Sequence, residues 1–312
     1  MPIKEKMLEP ENVIQTNKIS QFKIWFLATR PKTLSISCTP IFLGTFLAVA
    51  KVDFIHWNLA LLALICACSI QIGINLVNDA IDFKKGADRE GRLGPLRVTQ
   101  SGLLSYKQVL RFALVCFLFA ILFGIPLILT GGWPLFWALF ASIIFGYLYT
   151  GGPFPLAYWG LGEVFVLIFF GYVITCSAFY LQTGFVDSAC LLGATQIGLL
   201  AMITIAINNT RDMSTDLIAR KMTLSVRLGL SFSRYGIMIL SGLPYLLGLI
   251  WMWQRKPLMG VLPFLVFHLI YKNAKAIWEN PPSSLYNEYL ARSAKNQLLF
   301  GVLLITGYLI EV

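Results

Sequence analysis

Asn75, Asn78, Asp79 and Asp82 stand at i, i+3, i+4 and i+7. If the apolar segment before them is a helix that continues this far, all four project from one face. Oxygen donors of this kind suit a hard cation such as Mg²⁺, which takes one or two carboxylates and completes its shell with water or substrate phosphate. A second set follows some 130 residues later, with Asn208, Asp212 and Asp216 at i, i+4 and i+8 and Asn209 beside them. Each set closes a long apolar segment and each is accompanied by bases. Two acidic faces at one edge of a membrane, bridged by Mg²⁺ and with the remaining charge met by Lys and Arg, would hold a diphosphate.

The elements that must position these residues are membrane helices. The chain is 57% hydrophobic and 13% charged, with a mean hydropathy of +0.72, which places it outside the soluble globular class. Nine apolar runs lie near 34–50, 57–77, 108–130, 133–150, 162–182, 188–208, 232–253, 258–273 and 296–310. They are continuously apolar rather than alternating, so the expected fold is an all-α integral membrane bundle of nine transmembrane helices with two Asp-rich cytoplasmic loops. Residues 1–24 read as a polar tail without a removable signal peptide, and 25–312 as a single membrane domain. Small residues such as Gly44, Gly124, Gly171 and Gly198 are expected at close helix contacts.

Lys and Arg concentrate on the cytoplasmic side of membrane proteins. Six lie in 1–32, seven in 80–111, five in 208–234 and four in 271–295, whereas the opposite loops hold only Lys51, Arg255 and Lys256. With nine spans this puts the N-terminus and both acidic stretches in the cytoplasm and the C-terminus outside. The net charge of +10 therefore reports orientation, and no nucleic-acid partner is expected. The six cysteines lack metal-ligand spacing and read as buried small apolar residues.

At its two polar stretches the chain resembles the UbiA superfamily of intramembrane prenyltransferases, from Arg30 to the last apolar run. The first family motif, NDxxDxxxD, is matched by Asn78, Asp79 and Asp82; Gly86 replaces its last acid, and Asp88 is the next one. The run Gly94-Pro-Leu-Arg97-Val-Thr-Gln-Ser-Gly102 is similar to the branch that prenylates 1,4-dihydroxy-2-naphthoate in menaquinone synthesis, as are Arg30-Pro-Lys-Thr-Leu and the segment from Tyr149 to Gly162-Glu163. The second motif, NNxRDxxTD followed by GKxTL, is matched by Asn208, Asn209, Arg211, Asp212, Thr215, Asp216, Lys221, Thr223 and Leu224, with Arg220 standing where the family usually has Gly.

The resemblance implies Mg²⁺-dependent transfer of a polyprenyl chain from its diphosphate to dihydroxynaphthoate, with decarboxylation, in a bacterial inner membrane. Asp82, Asp212 and Asp216 would be the catalytic core. Asn78, Asp79, Asp88, Asn208 and Asn209 would join them around the metal, and Arg97, Arg211 and Lys221 would contact the diphosphate. Arg30 or Lys32 would meet the acceptor carboxylate, with Tyr149 and Glu163 lining the acceptor site. The rival acceptor is 4-hydroxybenzoate. A rival of another class, an ion-coupled transporter, would carry its acids near the bilayer midplane on broken helices rather than at span ends.

Overall fold

A computed structural model describes residues 20–88 and 91–312. Most of the polar tail, residues 1–19, lies outside the described residues, as do 89 and 90. Everything regular among the described residues is helical. In chain order the helices are α1 (Gln21–Ala28), α2 (Ser35–Leu47), α3 (Trp57–Lys84), α4 (Tyr106–Gly131), α5 (Trp133–Leu148), α6 (Gly162–Thr183), α7 (Ser188–Arg211), α8 (Met213–Ile218), α9 (Leu224–Trp253), α10 (Pro257–Glu279) and α11 (Tyr286–Ile310).

Seven of these, α3, α4, α6, α7, α9, α10 and α11, are long and apolar enough to span a bilayer. The segments Gln21–Thr33 and Ser35–Lys51 form an eighth candidate bent by 51°, with Pro31 at the bend. The remaining expected run is α5, which at 16 residues is shorter than a usual span. Each of the nine expected apolar runs thus falls on helix, with a count of seven to eight full-length candidates among the described residues.

Helix contacts are made where side chains are missing. A Cβ at Gly171 would lie 2.8 Å from the Ala194 carbonyl and 3.0 Å from Gly198 Cα, so α6 and α7 pack backbone to backbone. Gly44 meets α6 at the Thr175 carbonyl in the same way. Gly124 receives the Leu139 side chain of α5. Within α6, residues Leu167–Val173 form a π-helical stretch that contains Gly171.

Two helices run further than their apolar sequence suggests. Helix α3 continues to Lys84, which carries Asn75, Asn78, Asp79 and Asp82 on helical backbone as the spacing requires. Helix α11 starts at Tyr286, ten residues before its apolar run. The second acidic set departs from expectation: α7 ends at Arg211, Asp212 has non-helical ψ near 7°, and Asp216 belongs to the separate short helix α8. Asn208, Asp212 and Asp216 therefore do not share one helix face. The break at Asp212, rather than a continuous rod, leaves Asp216 linked to Asp82 of the first motif through Lys221.

Candidate active site

The two motifs meet at one end of the bundle, joined crosswise by cations. Lys221 Nζ lies 3.9 Å from Asp82 Oδ2 and 3.5 Å from Asp216 Oδ1. Arg92 spans the same gap elsewhere, 2.8 Å from Asp88 Oδ1 and 3.6 Å from Asp212 Oδ2. Arg97 lies between Asp82 Oδ2 at 3.7 Å and Asp88 Oδ2 at 3.3 Å, with Nε and Nη1 buried and making no hydrogen bond. Asp82, Asp88, Asp212 and Asp216 are all buried.

Such burial perturbs the acids unequally. Desolvation pushes Asp88 up to about 7 despite Arg92, with Asp82 adding to the rise. It pushes Asp216 up to about 6 against the pull of Lys221. Burial alone would raise Asp212 too, but its paired bonds from Arg211, helped by Arg92 and Lys221, hold it below the usual carboxylate range. Desolvation opposes the charge on Lys221, yet Asp82, Asp216, Asp212 and Asp88 together raise it above an ordinary lysine.

One observation bears on whether Mg²⁺ fits this donor set. Asp88 Oδ2 and Asp216 Oδ2 are buried acceptors without a hydrogen-bond donor, which a hard cation would satisfy. Among the described residues no group of three acids converges enough to enclose an ion alone.

Several expected residues are held by contacts within the protein. Both oxygens of Asp79 accept backbone N–H groups of Val98 and Thr99, at 3.2 and 3.1 Å, so Asp79 pins the 94–102 segment that carries Arg97. Asn78 Oδ1 accepts from the Thr150 hydroxyl. Asn209 Nδ2 turns to Glu163 Oε1 at 2.8 Å. Arg211 is 1% exposed and fully engaged. Its Nε and Nη2 grip Asp212 at 2.8 and 2.6 Å, Nη2 also reaches Asn208 Oδ1, and Nη1 donates to Asn287 Oδ1 at 2.7 Å. A guanidinium so committed orients Asp212 and leaves little to offer a phosphate. At the bend before α2, Arg30 takes a left-handed φ of 54°, and its buried Nη2 has no partner. Its charge is felt by Asp88. Lys32, in contrast, is exposed.

Four contributors escaped the sequence reading. Arg92 is one of seven bases in its stretch, and no spacing singles it out. Tyr158 donates to Asp82 Oδ1 at 3.3 Å, with Lys85 Nζ 4.6 Å and Lys221 Nζ 6.0 Å from its ring centre. Lys85 also donates to the Thr150 carbonyl at 2.7 Å. Asn287, on the first turn of α11, donates to the Leu93 carbonyl at 2.8 Å while holding Arg211.

Below the site, an apolar cavity of about 70 Å³ lies between α2, α3, α4, α5 and α6, lined by residues that include Ala63, Ile70, Gly124, Leu135 and Ile174. Ile70 is twelve residues before Asp82 on α3, roughly 18 Å along the helix axis.

Comparison with known proteins adds the following. Residues 37–293 match the model of the UbiA prenyltransferase family. The 1,4-dihydroxy-2-naphthoate octaprenyltransferase of Escherichia coli (strain K12) is 35% identical over 299 residues, covering 93% of this chain and 96% of that protein. The protein of that name from Bacillus subtilis (strain 168) is 31% identical over 304 residues, covering 94% of each. Among solved structures, a UbiA homolog from Archaeoglobus fulgidus bound to DMAPP and Mg²⁺ superposes with a TM-score of 0.60 at 14% identity, over 90% of this chain and 98% of that one.

Proposed function

The chain belongs to the UbiA prenyltransferase family, and from that premise we propose that it transfers a polyprenyl chain from an allylic diphosphate to 1,4-dihydroxy-2-naphthoate, with decarboxylation, giving demethylmenaquinone. The observation that carries the reading is the crosswise site: four buried carboxylates of two distant motifs interleaved with Arg92, Arg97 and Lys221 at one end of a membrane bundle. The names of the relatives at 31–35% identity supply the acceptor.

Mg²⁺, when bound at Asp82, Asp88, Asp212 and Asp216 with Asn78 and Asn208 nearby, supplies positive charge opposite the diphosphate oxygens. The rest of the chemistry belongs to the side chains. Arg97 Nη1 is a buried donor without a hydrogen bond, and it suits a phosphate oxygen. Lys221, held protonated by its acids, follows the charge that grows on the leaving oxygens as the allylic C–O bond breaks. Asp79 and Arg211 fix the positions of Arg97 and Asp212, so the field is set before substrate arrives. Burial keeps water from the allylic cation until the electron-rich ring attacks it. The polyprenyl tail follows the apolar crevice below Ile70.

In this reading the chain is a multi-pass protein of the bacterial inner membrane with its site open to the cytoplasm, the side on which the basic loops fall. Purified protein in detergent, given dihydroxynaphthoate, a polyprenyl diphosphate and Mg²⁺, is expected to release diphosphate and form the prenylated quinol. Activity with 4-hydroxybenzoate instead, or full turnover in excess EDTA, would refute the acceptor or the metal requirement respectively.

A further inference from the structure

Glu163 opens α6 and is 5% exposed. Its Oε1 accepts the Asn209 amide at 2.8 Å, but its Oε2 is buried with no donor. A buried carboxylate oxygen without a donor is costly, and such atoms in folded proteins are matched by a partner. Nothing in the metal and diphosphate machinery uses this one. It nevertheless belongs to the same interior space. Tyr149 lies within electrostatic reach of Glu163, Asp82 and Asp216 together. Residue 162 is glycine, and a Cβ there would stand 2.9 Å from the Tyr149 hydroxyl. The missing side chain leaves Tyr149 room beside Glu163.

We propose that Glu163 Oε2 accepts a hydrogen bond from a ring hydroxyl of the acceptor and so selects and orients a hydroxylated ring; the inference rests on the function proposed above. The chemistry excludes the other groups of that substrate. A carboxylate would be repelled by Glu163, and a diphosphate more so, whereas an O–H is what an unpaired carboxylate oxygen lacks. The acceptor carboxylate is then turned away from Glu163. Asn209 becomes the residue that aims Glu163, which explains why the second asparagine of its motif faces away from the acids.

The test pairs Glu163→Gln with the two monomethyl ethers of dihydroxynaphthoate. The glutamine keeps the shape and can still accept from Asn209, but it then presents N–H where an acceptor is required. For the parent substrate we expect kcat/KM to fall about 10–100-fold, the range of a hydrogen bond to a charged group, with Mg²⁺ dependence and the polyprenyl diphosphate KM unchanged. Wild type should discriminate against one of the ethers by a similar factor, and Glu163→Gln should not. Unchanged acceptor kcat/KM in Glu163→Gln, or a parallel loss of diphosphate affinity, would overturn the assignment. If that variant does not accumulate, wild type decides alone: equal turnover of the parent and both ethers would overturn it. Failure of the proposed function itself would look different, since wild type would then not turn over dihydroxynaphthoate at all.

Discussion

A carboxylate that holds a cation and an arginine that holds an anion fail differently when altered. Asp82→Asn and Asp212→Asn keep side-chain shape and lose charge, and removal of one preorganised electrostatic contact costs about 10²–10³ in rate. Turnover should fall at least that far at saturating substrates, with the fold intact by thermal melting. Arg97→Lys keeps a point charge but loses the planar fork, so a raised diphosphate KM with much of kcat retained is expected. Steady-state kinetics of the three variants separates the roles; an Arg97→Lys enzyme as inactive as the aspartate variants would show that the division is wrong. Titration gives a second handle. Asp88 near 7 and Asp216 near 6 are raised above their ordinary 3.8. Between those limits the folded protein binds more protons than the unfolded chain, so without metal its stability falls as pH rises through about 4 to 7. A divalent cation binds the ionised forms. The gain in Tm on adding Mg²⁺ should therefore grow from pH ~5.5 to ~7.5 and then level, and a pH-independent gain would exclude these acids as ligands. At this scale residue type was readable and partner was not. Asp82 and Arg97 announce themselves by spacing and motif, whereas Arg211 and Asp79 look equally eligible and are spent on other contacts, because sequence does not say which donors fold back on the protein.

Among the elements, apolar length marks where lipid is and understates where helix is. The polar turns at the end of α3 and the start of α11 carry Asp82 and Asn287 on helical backbone. That extension is legible for α3 because its acids keep helical spacing, and illegible for α11, where Asn287 has no periodic companion. The break at Asp212 was likewise hidden, since i, i+4 and i+8 fit a helix whether or not one forms. The turn after α8 shows a motif departure absorbed by backbone. Arg220 stands at φ 55°, the left-handed region that glycine enters freely and that costs other residues ~1–2 kcal/mol. Exposed arginine tolerates it, and Lys221 N still closes the turn onto the Asp216 carbonyl at 2.8 Å. Arg220→Gly should thus leave activity unchanged and Tm equal or slightly higher. Arg220→Val, β-branched at positive φ, should lower both by displacing Lys221; a Val variant with normal kcat would show that the turn does not position the lysine.

For the whole molecule, membrane embedding and helix class follow from composition alone, and the placement of the bases is the ground for the sidedness proposed above. Single-cysteine variants at Lys85 and Ser214 should label with impermeant maleimide only when the cytoplasmic face is exposed; labelling from intact cells would invert the topology. The crosswise bridges then bear on biosynthesis. Asp82, Asp88, Arg92 and Arg97 are made with the first helices, but the groups that answer them, Asp212, Asp216 and Lys221, arrive four helices later, and Asn287 later still. A partly inserted chain therefore has no competent half-site. The capacity to generate a reactive cation appears only once insertion is nearly complete, so the nascent protein is chemically silent by construction, with no separate inhibitor needed.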